Sequence, residues 1–401
     1  MMQLLIRLVL CLLLLLGLPG CWNRRELNDI AIAVGLAIDW DPKGQYVITA
    51  QIVDPGEVAP RKGGGTATAV STYEARNESV SEALRKMTTV LPRKIYLSHL
   101  QILVLGETLA ERGIAESLEF LSRNHEVRSD FFVVLSKNTK AGDILNVLTP
   151  LEKIPSQKLR KSLETSEKSW APTHTIQLDE LITDMLEPGR SPVLTGVRIE
   201  GSKSKGKTRD GLASVTPAGV LEYANLAVIR RDRLAGWLNE QESKGYNYIK
   251  GNVKNTVGTI GCGGKGSVSV EAFNTKSTVR AFVDKGTPSI VVSLMTESNV
   301  TEVHCDVDLS KPEAIRMLEQ EAGKRTKEVV RAAIQKAKKL KSDIFGFGEI
   351  IHQKDPKLWA GLKEDWNAQF VKLPVTVVVD AHIRRTGTTN KSYLNKLKGG
   401  E

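Results

Sequence analysis

Four cysteines, six histidines and 5% aromatic residues are all that 401 positions carry. So few cysteines exclude a disulfide-dense scaffold or a repeated cysteine zinc module. The histidines, at 99, 125, 174, 304, 352 and 382, are scattered without ligand spacing, and no metal site is expected. His125-Glu126 opens like a zinc-protease helix, but Ser129 stands where the second histidine must be. No G-x-S-x-G elbow is present, and Glu364-Asp365 reads as solvated charge, so no catalytic residue is expected. Gly261-Cys262-Gly263-Gly264-Lys265-Gly266 matches a dinucleotide fingerprint in letters only. A strand-like alternation, SVSVEAF, follows it where a helix N-terminus is required, so it reads as a glycine-rich turn. No apolar run approaches the 20 or so residues that a membrane-spanning helix takes.

What is present is an ordinary 41% of hydrophobic residues, enough for two or three domains with cores, and a formal net charge of +10. The cations are spread over KSKGKTR (203–209), RRDR (230–233), KKLK (338–341) and the last residues. With no recognition helix and few aromatics beside them, nucleic acid is not an expected partner. An anionic lipid surface suits the charge better, because the first residues point to a membrane.

Arg7, the apolar stretch Leu8 to Leu16 and the turn residues Pro19-Gly20 form a secretory signal pattern over residues 1–20. Leu18-Pro19-Gly20-Cys21 resembles a bacterial lipobox, with Pro19 where a small residue is usual. The expectation is that Cys21 carries diacylglycerol and an N-acyl (palmitate-type) lipid, and that no other cofactor is bound. Two acyl chains anchor firmly at ~0.8 kcal/mol per buried methylene. An ordinary cleaved signal with an incidental cysteine is the plainer alternative. Cys11 leaves with the signal, so Cys262 and Cys305 remain, either as a disulfide or as two buried thiols.

The hydropathy pattern predicts an α+β, multi-domain protein with mixed sheets and covering helices. Residues 21–62 and 190–252 are expected to form a first, discontinuous α+β domain, with an inserted α/β domain at 66–186. The inserted strands SHLQILVLG and SDFFVVLS are almost continuously apolar, as in a partly parallel sheet buried on both faces. Residues 253–398 form a C-terminal α+β domain, an antiparallel sheet packed on a long helix. Ser310 and Glu313 suggest a capping box for that helix. Ile315, Leu318, Ala322, Val329, Ala333, Ala337 and Leu340 give it an apolar stripe. Trp359, Leu362, Trp366 and Phe370 fall on one face of a helix capped by Asp355, and core packing is the favoured reading.

Three blocks carry a resemblance: GCWNRRELNDIAIAVGLAIDWD (20–41), LAVIRRDRLAGWLNEQESKGYNYIKGN (226–252) and KSDIFGFGEIIHQKDPKLWAGLKEDWNAQF (341–370). In this order they resemble the Ger(x)C family of bacterial spore germination lipoproteins, with Gln353 where arginine is more usual. The resemblance implies a non-enzymatic, lipid-anchored C subunit of a nutrient germinant receptor on the exported side of the spore inner membrane. Its implied partners are two integral-membrane subunits, A and B, and membrane lipid. The other expectation carried forward is an exported lipoprotein that binds a small solute or envelope polymer independently of any receptor.

Overall fold

The computed structural model describes residues 29–58 and 68–385, with 1–3 and 5–6 at the start. Cys21, the stretch WNRRELND up to Asn28 and the chain beyond Arg385 lie outside the described residues.

Nine strands form the larger sheet: β1 (Ile30–Trp40), β2 (Tyr46–Val53), β3 (Val70–Asn77), β4 (Lys94–Tyr96), β5 (Ile102–Leu105), β6 (Phe132–Ser136), β7 (Val193–Gly201), β8 (Gly219–Arg230) and β9 (Arg233–Trp237). Their order is β3-β2-β1-β5-β6-β7-β8-β9, with β4 paired to the start of β1. The inner strands β1, β5, β6 and β7 run parallel, and the flanking hairpins are antiparallel. The expected insertion at 66–186 therefore has no sheet of its own. Its strands β5 and β6 lie between β1 and β7, inside the sheet that was expected to belong to the first domain alone. The reason is visible in β5: Leu103 and Leu105 enter one core while Ile102 and Val104 enter another, so the strand needs neighbours on both edges and helices on both faces.

The helices longer than four residues are α1 (Val80–Lys86), α2 (Glu107–Arg112), α3 (Ala115–Arg123), α4 (Ala141–Leu145), α5 (Pro155–Ser169), α6 (Leu178–Leu186), α7 (Glu240–Lys250), α8 (Pro312–Lys339), α9 (Phe347–Lys354), α10 (Pro356–Leu362) and α11 (Trp366–Lys372). One sheet face is covered by α1, α2, α3 and α6, the other by α4 and α5. Because the inner strands are parallel, Gly35, Ile102, Phe132 and Val193 lie at one level across the sheet, opposite Val228 of β8. The start of β1, the entry to β7 and the β8–β9 turn are thus at one end. The loop 202–218 is at the other.

The smaller sheet has the order β10 (Thr256–Gly261), β11 (Ser267–Asp284), β12 (Thr287–Val303), β13 (Val375–Arg385). Strands β10 to β12 are antiparallel, as expected, whereas β13 joins β12 in parallel because α8 to α11 intervene as a crossover. Helix α8 buries Leu318, Ala322, Val329, Ala333 and Ala337 of the predicted stripe. Its N-cap is Lys311, and the Ser310 hydroxyl donates to Asp308 instead (2.6 Å), so the expected capping box is not formed.

Candidate functional site at the junction of the two sheets

Two of the resembling blocks, far apart in sequence, meet in one core. Leu226, Val228, Leu238, Tyr246 and Ile249 pack there with Ile344, Phe345, Phe347, Ile351, Trp359, Trp366 and Phe370. The aromatic rings run in sequence, Tyr246 to Phe345 (6.2 Å between centroids), Phe345 to Phe347 (5.0 Å) and Phe347 to Phe370 (6.3 Å). Trp359 meets Trp366 edge-on at 5.1 Å. The expected aromatic face is thus buried, but not on one helix. A 3-10 turn at Lys363–Asp365 separates α10 from α11, and Leu362 is only partly buried. Asp355 caps α10 as expected, accepting from the N–H groups of Lys357 and Leu358.

At the centre lies Asp343, 1% exposed. Its carboxylate accepts from the N–H groups of Phe345 (3.2 Å), Gly346 (3.0 Å) and Gly348 (2.9 Å) and from the Trp366 indole (3.0 Å). The three backbone donors fold the segment FGFG around the carboxylate, with Gly346 in the left-handed region (φ 78°). Burial nevertheless pushes the Asp343 pKa up to about 6, the donors opposing it. The Asp343 carbonyl in turn accepts from Ser191 N–H (2.8 Å), at the entry to β7. Arg190 bonds Asp184 (2.7 Å) and also Glu349, tying α6 to α9. Lost solvation alone would lower the Arg190 pKa, but the two carboxylates outweigh it and raise it. Gly348 packs against the backbone of Gly189, where a Cβ would stand 2.7 Å from the Gly189 Cα. The arrangement has no exposed nucleophile at its centre. It is suited to holding two sheets in a fixed relation.

Other polar groups have local work. Asp39 accepts from the N–H groups of Ala141 and Gly142, at the start of α4, with burial raising its pKa. Gln51 links Leu145 to Ser156. His174 sits 3.4 Å from Glu167, whose pKa is raised by burial but lowered overall by its bonds to His174 and Thr175. Cys262 and Cys305 are paired, with Cα atoms 6.7 Å apart, joining the β10–β11 turn to the chain beyond β12. His304 lies just past β12, at 3.3 Å from Glu302. A cleft of about 880 Å³ opens between α1 and α3, with Tyr46, Leu84 and Phe120 in its lining. A second cavity, about 530 Å³, lies beside the loop 202–218 and is lined by Leu148, Leu151 and Val220 among others. Among the described residues no helix is long and apolar enough to cross a membrane.

These features define a two-sheet α+β protein whose sheets are locked through a shared aromatic core. Residues 23–199 match the family model for the spore germination protein N-terminal domain, and 224–387 match the spore germination B3/GerAC-like C-terminal model. The chain is 31% identical to spore germination protein KC of Bacillus subtilis over 97% of its own length and 98% of that protein's. It is 22% identical to spore germination protein B3 of the same organism, over 94% and 97% of the two chains. The crystal structure of the GerBC protein shares the fold, with a TM-score of 0.56 at 18% identity over 90% of this chain and 99% of that one. The chain belongs to the Ger(x)C family of spore germination proteins. A germination-related, spore-associated role follows from that membership.

Proposed function

We propose that the chain is the lipid-anchored C subunit of a nutrient germinant receptor, a non-enzymatic component that assembles or couples integral-membrane A and B subunits. It is held on the exported side of the spore inner membrane by lipid on Cys21. The observation that carries this reading is the match to a germination protein along 97% of the chain and 98% of that protein. The locked junction of the sheets supports it, since a coupling component transmits position only if its parts move together. Replacing Cys21 by alanine tests it: the chain is expected to leave the membrane fraction and nutrient germination to fall. Full germination by a released chain would overturn anchoring as the purpose of the cysteine. The cleft between α1 and α3 favours a second reading, a solute-binding lipoprotein that works alone. Co-purification with polytopic membrane subunits separates the two.

A further inference from the structure

We propose that the end of the larger sheet where β1 begins carries a docking surface for anionic phospholipid, built from the β8–β9 turn and the last turn of α8. The proposal rests on the lipid-anchor reading and extends it to the folded surface. Arg230, Arg231 and Arg233 on the turn and Lys339 and Lys341 at the helix end are all exposed. The Arg230 guanidinium donates to the Leu340 carbonyl (3.2 Å), which fixes the two elements side by side. Gly236 makes this approach feasible, since a Cβ there would stand 3.0 Å from the Leu340 side chain. The acid within the turn is Asp232, 3.9 Å from Arg233, and its carbonyl is occupied by Ile114 N–H.

Lysines gather at helix C-termini to complement the helix dipole. That accounts for Lys339 and Lys341, and for Arg230 on the Leu340 carbonyl, but not for Arg231 and Arg233 on the hairpin. The position of the patch points to lipid. The start of β1 and the β8–β9 turn lie at the same end of the larger sheet, four strand spacings apart, or about 19 Å. From Asp29 the chain back to Cys21 reaches at most about 28 Å when extended. A lipid on Cys21 therefore keeps this end near the headgroups, where each basic residue is worth roughly fivefold in binding, the equivalent of about 1 kcal/mol. A different exposed basic segment, Lys203 to Arg209, lies beyond Gly201 at the opposite end of the larger sheet.

The test uses the chain from Trp22, which keeps every core residue described above, since these lie between Ala31 and Ala381. Its sedimentation is measured with vesicles of phosphatidylcholine containing phosphatidylglycerol and with phosphatidylcholine alone. The wild-type chain is expected to prefer the anionic vesicles. The pairs Arg231→Gln with Arg233→Gln, and Lys339→Gln with Lys341→Gln, are each expected to weaken that binding by about 25-fold. Lys203→Gln with Lys205→Gln is expected to change it less than about threefold. Circular dichroism on each variant reports the fold, and either pair alone suffices should the other misfold. No preference for anionic vesicles, or an equal loss from the loop pair, would overturn the proposal. Either result leaves the Cys21→Ala membrane-retention result untouched, so a failed patch and a failed anchor are told apart.

Discussion

Asp343 shows how one residue can be well satisfied and still costly to ionise. Its four donors favour the carboxylate, and burial opposes it strongly enough to move the pKa from 3.8 to about 6. A raised folded pKa means that the folded state holds the proton more tightly than the unfolded one. The stability from Asp343 is therefore fully present below about pH 3.8 and lost as pH rises to about 6, a change of about 3 kcal/mol. Denaturant unfolding of wild type and of Asp343→Asn should show this difference shrinking over that window. A difference that grows with pH would mean that the four donors outweigh burial. Gly348 is equally exacting for a different reason. Gly348→Ala forces a Cβ against Gly189 and the Trp359 ring, each 2.7 Å away, and is expected to cost about 1–3 kcal/mol in the same measurement. The sequence showed Phe345-Gly346-Phe347-Gly348 as a distinctive string, but not the carboxylate it wraps. Nor did it pair Arg190 with Glu349, which are 159 positions apart. Contacts at that range leave no local pattern to read.

Elements were legible where a single period governed them. The stripe of α8 and the Asp355 cap needed only local rules, and the structure has both. Local rules failed where another local partner competed, as when Asp308 took the Ser310 hydroxyl. They also failed where a bulge broke the alternation. The alternation SVSVEAF is only the first part of a longer strand, β11, whose register against β12 shifts between Ala272 and Asn274. Strand order was less accessible still, because an apolar run tells that a strand is buried and not which neighbours bury it. The Cys262–Cys305 pair acts at this scale. It closes 43 residues of chain and ties the glycine-rich turn to the lead-in of α8. Thiol titration of the unreduced protein should find neither cysteine free. Cys262→Ser should lower stability by up to about 4 kcal/mol, read from denaturant midpoints. Two titratable thiols would restore the reading of separate buried cysteines.

For the whole molecule, three separate blocks signalled the family, and the fold shows why two of them matter together. Residues 226–252 and 341–370 share one core, so neither sheet has a complete interior without the other's contribution. In a body held together through a shared core, whatever orients one end orients the whole. The shared core also imposes an order on biogenesis. A chain emerging N-terminus first can pair β1 to β9 once Trp237 has appeared, yet Leu226, Val228 and Tyr246 stay uncovered until Phe370 follows. During that interval the half-made protein shows a greasy flank that holdase chaperones and proteases can recognise. A chain that stops short near Leu340 never hides it, so premature termination should yield rapidly degraded fragments rather than a stable N-terminal half.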